Sequence, residues 1–283
     1  MGAASRPPGD ARPDPFKPYL ARWRLSADGS PIRTENSTLL PVRRGATPAM
    51  LKVARHEEEI RGNRLMSWWA GEGAAPVLAQ AHNALLMARA DAEPSLEILA
   101  TGDGDAEATR ILCRAAGRLH RRKAPFHPDT TELRHWFRAL DQAEARAGGV
   151  IAVAASTARR LLNHQGQIVS LHGDIHHRNV LHFGTGGWRA IDPKGLIGEA
   201  AFDYVNILRN PDAAAAAHQD RFRARVATIC EETGIPPARL IDWAISFFGL
   251  SAAWSMEEGE DCRADLALLD VALRLRTDPA LTR

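Results

Sequence analysis

The stretch LHGDIHHRNVLHFGTGGWRAIDP, residues 171–193, decides the fold of this chain, and its local patterns predict two elements. The run QIVSL at residues 167–171 is apolar and β-branched, which is typical of a buried strand. This strand ends in the polar sequence His172-Gly173-Asp174. Two short apolar runs, VLHF and WRAI, then flank Gly-Thr-Gly-Gly and predict a β-hairpin with a four-residue turn.

The register of this hairpin determines which polar side chains meet. If Phe183 pairs with Trp188, the antiparallel register places Asn179 opposite Asp192. The end of the preceding strand brings Asp174 to the same mouth of the hairpin. Because carboxylate and carboxamide oxygens are the ligands that Mg²⁺ prefers, the sequence predicts a magnesium site there.

The spacing of these three residues also predicts a reaction. An Asp-x4-Asn motif followed by a second Asp across a hairpin matches the phosphoryl-transfer site of protein-kinase-like enzymes. In that arrangement Asp174 takes the proton of the attacking hydroxyl, and Asn179 and Asp192 hold the metal that bridges the nucleotide phosphates. The expected cofactors are therefore ATP and Mg²⁺.

A histidine cluster in the same stretch supports a different hypothesis. His172, His176, His177 and His182 could form a zinc site, since histidine is a common zinc ligand, and the protein would then be a metallohydrolase. This hypothesis gives no role to the asparagine and the second aspartate of the stretch. A nucleotide-binding protein without turnover is a further alternative, which the intact set of polar residues disfavours.

The chain resembles the aminoglycoside phosphotransferases, in particular the streptomycin 6-phosphotransferase and hydroxyurea-kinase branch. The resemblance rests on HGDIHHRNVL, on AIDPKGLIGEAAFDYVNILRNP and on a late SAAW at residues 251–254, and it covers roughly residues 20–276. It implies an α+β, bilobal, protein-kinase-like fold with a small β-rich N-terminal lobe and a larger, mostly helical C-terminal lobe. It implies transfer of the γ-phosphoryl of ATP to a hydroxyl of a small molecule.

The chain divides into three expected segments: a flexible leader at 1–18, a nucleotide-binding lobe at 19–89 and a catalytic, acceptor-binding lobe at 90–283. Apolar runs predict early strands at 23–26, 38–43 and 49–54, and a later strand that begins at residue 84. Helical spacing of apolar residues predicts helices at 57–70, 106–122, 133–147, 151–163, 201–208, 221–233, 237–256 and 262–276.

Lys52 is the one lysine of the chain in a strand-like apolar run. In kinase-like folds such a lysine binds the α- and β-phosphates, although an edge-strand lysine that limits aggregation is the alternative. An acid on the next helix should orient it. Helical phase selects Glu58, whereas the family pattern selects Glu59, and we predict Glu59.

Other nucleotide contacts follow from the resemblance alone. Between the first strands no glycine-rich loop occurs, and Ser37 and Thr38 are expected to cover the phosphates with hydroxyls and backbone N–H groups. The hinge between the lobes would bind the adenine edge through the backbone of Ala88 and Ala90. In the family pattern Asp203 supports the catalytic loop through backbone N–H groups, and His172 is placed with it as a supporting residue.

An acidic segment near the end of the chain suggests a cationic acceptor. Four acids, Glu257, Glu258, Glu260 and Asp261, occupy five positions after the SAAW sequence, and the alternative is a solvated turn between helices. The resemblance implies streptomycin, whose two guanidinium groups suit carboxylates, and Glu199 would add a further acid. Hydroxyurea or a metabolite is the alternative acceptor.

Composition excludes several other classes. The chain has 283 residues, is 45% hydrophobic and carries 36 basic against 34 acidic residues, so nothing indicates nucleic-acid binding. No apolar run approaches a membrane span, and the first residues have no secretory pattern. Three widely spaced cysteines fit a reducing compartment. We expect a cytoplasmic monomer or weak dimer without a regulatory activation segment, because a helix follows Asp192 within about ten residues.

Overall fold

A six-stranded antiparallel sheet forms the N-terminal part of the chain. The computed structural model describes residues 14–122 and 129–279. The elements of the sheet and their flanking helices are α1 (Lys17–Trp23), β1 (Ser26–Ala27), β2 (Ile32–Arg33), β3 (Ser37–Arg44), β4 (Thr47–Ala54), α2 (Glu57–Trp69), β5 (Val77–Ala81) and β6 (Ala84–Ala88). The sheet has the order β1-β3-β4-β6-β5, and β2 pairs with β3.

The two faces of this sheet bury different residues because side chains alternate along a strand. On β4, Leu51 and Val53 face outward into an apolar cluster that α1 covers. Lys52, between them, points to the opposite face, toward α2 and the second lobe, and is only 5% exposed. The register therefore places the lysine in the space between the lobes.

The first residues of the structure differ from the expected leader. Residues 1–13 lie outside the described residues, but Phe16 is buried in the outer cluster and a helix begins at Lys17. The strand predicted at 23–26 begins too early, since α1 ends at Trp23 and the strand that pairs with β3 is Ser26–Ala27. Aromatic residues of α1 cover sheet positions that sequence periodicity alone does not identify.

The second lobe is mostly helical and is built around one long buried helix, α10 (Pro237–Glu258). It packs against α7 (Gly149–Asn163), α6 (Arg138–Ala147), α11 (Arg263–Arg276) and a 3₁₀ helix at Ala200–Leu208. The elements are α3 (Leu96–Thr101), α4 (Asp105–Leu119), β7 (Thr131–Glu132), α5 (Leu133–Trp136), α6 (Arg138–Ala147), α7 (Gly149–Asn163), β8 (Ile168–Leu171), β9 (Val180–His182), β10 (Trp188–Ala190), β11 (Leu196–Glu199), α8 (Ala213–Ala216), α9 (Gln219–Thr233), α10 (Pro237–Glu258) and α11 (Arg263–Arg276).

Most predicted helices are present, with two differences. The helix expected at 133–147 divides into α5 and α6 at Phe137, and the helix expected at 201–208 is a 3₁₀ helix. No helix in the described ranges is long and apolar enough to span a bilayer.

The predicted hairpin exists, but its register differs by one residue. Trp188 pairs with His182, not with Phe183, because a short 3₁₀ turn at Gly184–Gly186 lengthens the loop. Asn179 therefore lies opposite Ile191, whose N–H donates to the Asn179 carbonyl at 2.9 Å. Asp192 is one residue further along, at the mouth of the hairpin.

A strand that the sequence analysis did not predict closes the catalytic stretch. β11 runs antiparallel to β8, with Leu196 opposite Leu171 and Glu199 opposite Ile168. Only residues 193–195 separate Asp192 from this strand. The chain thus turns back at once, and no long segment leaves the site at this point.

Candidate active site

Asp203 supports the loop that follows β8. Its carboxylate accepts hydrogen bonds from the backbone N–H groups of His172 (2.9 Å) and Gly173 (2.7 Å). His120 Nε2 lies 2.7 Å from the same carboxylate. Gly173 has φ +81°, and a side chain there would contact Leu196 Cδ1 at 2.8 Å. The loop therefore needs glycine at this position, and Asp203 lies where the family pattern places it.

Asp174 projects from this loop, and two amide groups orient its carboxylate. Asn206 Nδ2 donates to Oδ1 at 2.6 Å, and Asn179 Nδ2 donates to the Asp174 carbonyl at 3.0 Å and to Oδ2 at 3.2 Å. His176 Nε2 lies 3.6 Å from Oδ1. Burial raises the pKa of Asp174, but His176 and Lys194 outweigh it and hold that pKa below its usual value. The carboxylate is therefore ionised and can orient an attacking hydroxyl.

Sequence reasoning missed Asn206. It lies on the 3₁₀ helix, 32 residues after Asp174, and no motif links the two positions. The available signal was its place three residues after Asp203, which puts both on the short helix that approaches the catalytic loop.

His172 connects the catalytic loop to the hairpin. Its Nδ1 accepts from the Asp174 N–H at 3.2 Å, so Nε2 carries the proton and donates to the Ile191 carbonyl at 2.7 Å. Burial lowers the pKa of His172, which keeps the ring neutral. The imidazole ring therefore fixes the distance between Asp174 and Ile191, the residue that precedes Asp192.

Lys52 forms ion pairs with Glu59 and with Asp192 in the space between the lobes. Glu59 is the acid that the family pattern selected. Glu58, which helical phase selected, points elsewhere and lies 3.3 Å from the Lys194 ammonium. Asp192 has φ +63°, a conformation that is uncommon for residues other than glycine. Burial raises the pKa of Asp192, but Lys52 outweighs it and keeps that pKa below its usual value.

The oxygen atoms at the hairpin mouth suit a magnesium ion. Because Asn179 donates its Nδ2 to Asp174, its carbonyl Oδ1 is free to accept a metal. The Asp192 side chain is 40% exposed and presents a carboxylate beside it. One carboxamide oxygen and one carboxylate, with water and phosphate completing the shell, form a donor set typical of Mg²⁺ sites.

The histidines do not form a zinc site. In the described part of the chain, no group of three or more histidine, cysteine, aspartate or glutamate residues could hold a metal ion. His172 binds the Ile191 carbonyl and His182 lies 2.9 Å from Asp91, whereas His177 is buried without a hydrogen-bond partner among the described residues. The rings do not converge on one point, so the metallohydrolase hypothesis has no geometric support.

A cavity of about 170 Å³ lies between the sheet and the hairpin. Its apolar walls and polar rim suit an adenine ring and its phosphates. It is lined by Thr34, Ser37, Leu39, Lys52, Asn63, Met66, Leu85, Met87, Ile191 and Asp192.

Of the other residues predicted to contact the nucleotide, some lie at the cavity with free groups and others do not. Ser37 lines the cavity, but Thr38 does not, because its hydroxyl accepts from Arg55 at 2.7 Å. Ala88 donates its N–H to the Pro76 carbonyl at 2.9 Å, so this donor cannot serve adenine. Within residues 14–122 and 129–279 the Ala90 N–H has no main-chain acceptor, so it can meet a nucleotide base.

A second, open cleft of about 400 Å³ lies on the other side of Lys194. We call it the tryptophan cleft, and its lining residues are Glu58, His135, Trp136, Ala139, Lys194 and Trp254. An adjoining groove shares Ala139 and extends along α6 and the end of α10, where Glu257 lines it. The cavity under the sheet and the tryptophan cleft meet at the segment that carries Asp192 and Lys194.

The acids predicted to bind the acceptor fall into two groups. Glu257 and Glu258 form the last turn of α10, which is longer than expected, and both are exposed near the groove. Asp261 instead forms an ion pair with Arg263 (2.6 Å), which lowers the pKa of Asp261 to about 2. Glu260 is exposed, and its N–H caps α10 at the Ser255 carbonyl.

The structure places Glu199 away from the acceptor site in which the sequence analysis expected it. It lies at the end of β11 opposite Ile168, whereas the catalytic loop leaves the other end of the strand pair. Its carboxylate forms an ion pair with Arg239 and accepts the Gly166 N–H at 2.9 Å. It is therefore a structural residue of the lobe and not an acceptor ligand. The unpredicted strand β11 is what carries it away from the site.

Two lobes that meet at a lysine-bearing sheet and a carboxylate-bearing loop define a protein-kinase-like phosphotransferase. The sequence model of the family described as "Aminoglycoside/hydroxyurea antibiotic resistance kinase" matches residues 22–259. Because this range is most of the chain, the protein belongs to that family. The finding confirms the resemblance identified from the sequence.

Known proteins agree with this assignment. The chain is 46% identical over 265 residues to a streptomycin 3''-kinase of Klebsiella pneumoniae, covering 90% of this chain and 99% of that protein. It is 31% identical over 286 residues to a streptomycin 6-kinase of Streptomyces glaucescens, covering 94% and 90% of the two chains.

A solved structure supports the fold. A thermostable mutant of aminoglycoside phosphotransferase APH(4)-Ia, in complex with ADP and hygromycin B, superposes with a TM-score of 0.64 at 12% identity. The match covers 91% of this chain and 97% of that one. The bilobal fold expected from the sequence is therefore confirmed. The family match and the two streptomycin kinases show that the protein is a kinase for small molecules.

Proposed function

We propose that the protein transfers the γ-phosphoryl group of MgATP to the 3''-hydroxyl of streptomycin. The observation that carries this proposal is the 46% identity to a streptomycin 3''-kinase along almost the whole of that relative. The similarity to streptomycin 6-kinases is weaker, which favours the 3''-hydroxyl over the 6-hydroxyl suggested by the first resemblance.

The donor side of the site supports the use of ATP and magnesium. Lys52, held by Glu59, would bind the α- and β-phosphates in the cavity below the sheet. Asn179 and Asp192 would hold Mg²⁺, which neutralises charge on the phosphates when it is bound. Asp174 orients the acceptor hydroxyl in line with the γ-phosphorus and accepts its proton.

The acceptor side supports a cation. The tryptophan cleft joins two indole rings, Trp136 and Trp254, whose centroids are 5.2 Å apart, to the Glu58 carboxylate. Guanidinium groups stack on indole rings and pair with carboxylates in a bidentate manner. Glu257 and Glu258 extend this acidic wall along the adjoining groove. The enzyme would inactivate the antibiotic by modifying it in the cytoplasm.

ADP release with a panel of hydroxyl acceptors tests the acceptor. Streptomycin should give the highest kcat/KM, and phosphorus–proton NMR of the product should place the phosphate on the 3'' position. A phosphate on the 6 position would move the assignment to the other branch. If hydroxyurea is phosphorylated faster than streptomycin, the proposed acceptor is wrong.

The roles of Asp174 and the metal are tested together. Asp174→Asn should lower kcat by about 1,000-fold, the loss typical of removing a general base, while MgATP still raises the melting temperature. Asp270→Asn, on the exposed face of α11, is the matched control. EDTA should abolish turnover and Mg²⁺ or Mn²⁺ should restore it. Restoration by zinc alone, without ATP, would support the metallohydrolase instead.

A further inference from the structure

Lys194 lies next to the catalytic loop and has no role so far. Its backbone N–H donates to the His172 carbonyl at 2.7 Å. A side chain on Gly173 would come within 3.1 Å of the Lys194 Cβ atom, so the lysine stem passes directly over the loop. The segment is therefore fixed against the residue that precedes Asp174.

The other side of this segment is fixed by α2. A Cβ atom on Gly62 would lie 2.1 Å from the Pro193 carbonyl oxygen, so the helix approaches the backbone as closely as glycine allows. Gly195 has φ +69°, and its α-carbon faces the Arg61 side chain. Lys194 is thus held between the catalytic loop and the helix that carries Glu59.

The Lys194 ammonium faces both halves of the site. It lies 3.3 Å from Glu58 and 4.0 Å from Glu59, and it lines the tryptophan cleft. Asp174 and Asp192 also act on it electrostatically, so four carboxylates surround the ammonium. A lysine side chain is a cation at neutral pH, and neighbouring carboxylates favour that charged form.

We propose that Lys194 is a further catalytic residue, whose ammonium binds the oxygens of the phosphoryl group during its transfer. Lys52 is engaged by Glu59 and Asp192 on the donor side, whereas Lys194 stands where the base and the acceptor cleft meet. A cation held there stabilises the charge that the moving phosphoryl group carries. This inference rests on the proposed use of MgATP but not on the identity of the acceptor.

The step balances without a proton from Lys194. The acceptor oxygen forms a bond to the γ-phosphorus, and the bond from that phosphorus to the β–γ bridging oxygen breaks. ADP leaves with the electron pair of the broken bond, and the hydroxyl proton passes to Asp174. Lys194 stays protonated throughout and supplies only charge and hydrogen bonds. Its partner Glu58 keeps the ammonium in the cleft before the substrates bind.

Three variants of the full chain test this role. Lys194→Gln removes the charge, Lys194→Arg keeps it, and Lys17→Gln on the exposed face of α1 is the matched control. We would measure kcat, the KM for ATP, and the melting temperature with MgADP and with MgADP plus aluminium fluoride. The aluminium fluoride complex mimics the phosphoryl group during its transfer and needs no acceptor.

The expected pattern separates catalysis from folding. Lys194→Gln should lower kcat by about 100-fold, as removal of one transition-state donor does, and lose the extra stabilisation by aluminium fluoride. Stabilisation by MgADP alone should stay unchanged, and Lys194→Arg should recover about tenfold of the lost kcat. Lys17→Gln should behave as the wild type.

Either of two results would overturn the inference. One is a kcat for Lys194→Gln within about threefold of the wild type. The other is loss of MgADP stabilisation together with kcat, which shows a structural role only. If the wild type fails to phosphorylate streptomycin but aluminium fluoride still stabilises the MgADP complex, the proposed acceptor is wrong. The Lys194 variants are then compared by their stabilisation with MgADP plus aluminium fluoride.

Discussion

Asn206 contacts the catalytic carboxylate but does not set its charge state. Its amide donates to Asp174 Oδ1, and the pKa of Asp174 lies below its ordinary value of about 4 because His176 and Lys194 outweigh the effect of burial. A lowered pKa keeps Asp174 ionised at every pH above that value, so it should produce no acid limb in kcat/KM between about pH 5 and 8.

The substitution Asn206→Asp should create such a limb. A second carboxylate beside Asp174 disfavours a second negative charge, so the pair should titrate with one raised pKa. Activity should then fall as the pH decreases through that value, whereas Asn206→Ser should leave the profile flat. Profiles of kcat/KM against pH measure the difference. Identical profiles for Asn206→Asp and the wild type would contradict the contact.

Single residues were predictable where their chemistry is local. Asp174, Asn179 and Asp192 share one stretch of sequence, and Lys52 is a rare lysine in an apolar strand. Lys194 is adjacent to the same stretch but has no motif of its own, because its role depends on α2 and on Gly173. Tertiary contacts of this kind leave no spacing in the sequence.

The contact between α2 and residues 193–195 sets the distance between the lobes. Gly62→Ala would place a methyl group within 2.1 Å of the Pro193 carbonyl, and backbone cannot rotate away as a side chain can. We expect a loss of about 1–3 kcal/mol in stability and a strongly reduced kcat, because Glu59 moves with the helix.

Gly117→Ala on α4 is the matched control for that substitution. Among the residues that the structure describes, its added methyl would meet only the Tyr204 hydroxyl, at 4.0 Å. Alanine favours a helix over glycine, so this variant should gain about 0.5–1 kcal/mol and keep full activity. Denaturant unfolding and kcat for both variants measure the contrast. Equal stability changes would show that α2 tolerates a wider spacing.

Strand β11 determines the position of Glu199, which lies at the end of the strand remote from the catalytic loop. Burial raises the pKa of Glu199, but the bond to Arg239 outweighs it and keeps that pKa below its usual value. A lowered pKa means that the ion pair stabilises the fold above about pH 4.3 and that this stabilisation is lost as the pH falls through the folded-state pKa.

Glu199→Gln should therefore destabilise the protein without affecting binding. We expect a loss of about 2–3 kcal/mol near neutral pH, because Arg239 remains without its partner, and a smaller loss in acid. The KM for the acceptor should not change. Urea unfolding at two pH values and steady-state kinetics test both statements, and a raised acceptor KM would return Glu199 to the site.

Helices with several turns of apolar periodicity were predictable from the sequence. Short strands, which are defined by their pairing with other strands, were not. The helices at 221–233 and 237–256 follow directly from apolar spacing, and the structure extends them by only two residues. β11 has four residues and is recognisable only through its pairing with β8 and β7. The hairpin register failed because a glycine-rich loop can adopt turns of different length.

At the scale of the whole molecule, the acidic end of α10 should act on the acceptor alone. Glu257→Gln with Glu258→Gln should raise the KM for streptomycin by about tenfold, and the KM for ATP should stay constant. Glu260→Gln with Asp261→Asn should have a smaller effect, because Asp261 is held by Arg263. The loss should shrink as salt rises, since these groups are exposed.

Two remote acids provide the control for this experiment. Glu107→Gln with Glu231→Gln removes the same charge from α4 and α9, neither of which lines the tryptophan cleft. If that pair raises the acceptor KM as much as the α10 pair does, the attraction is general and not local. Initial rates at several streptomycin and salt concentrations decide between the two.

The short turn of three residues that joins Asp192 to β11 limits how the enzyme can be regulated. Many signalling kinases are switched on when a long loop in this position is modified and the lysine–glutamate pair closes. Here the turn is too short to hold such a switch, and the fold itself places Lys52 in contact with Glu59. The lysine–glutamate pair is thus positioned by the packing of the lobes and not by a modification at this turn.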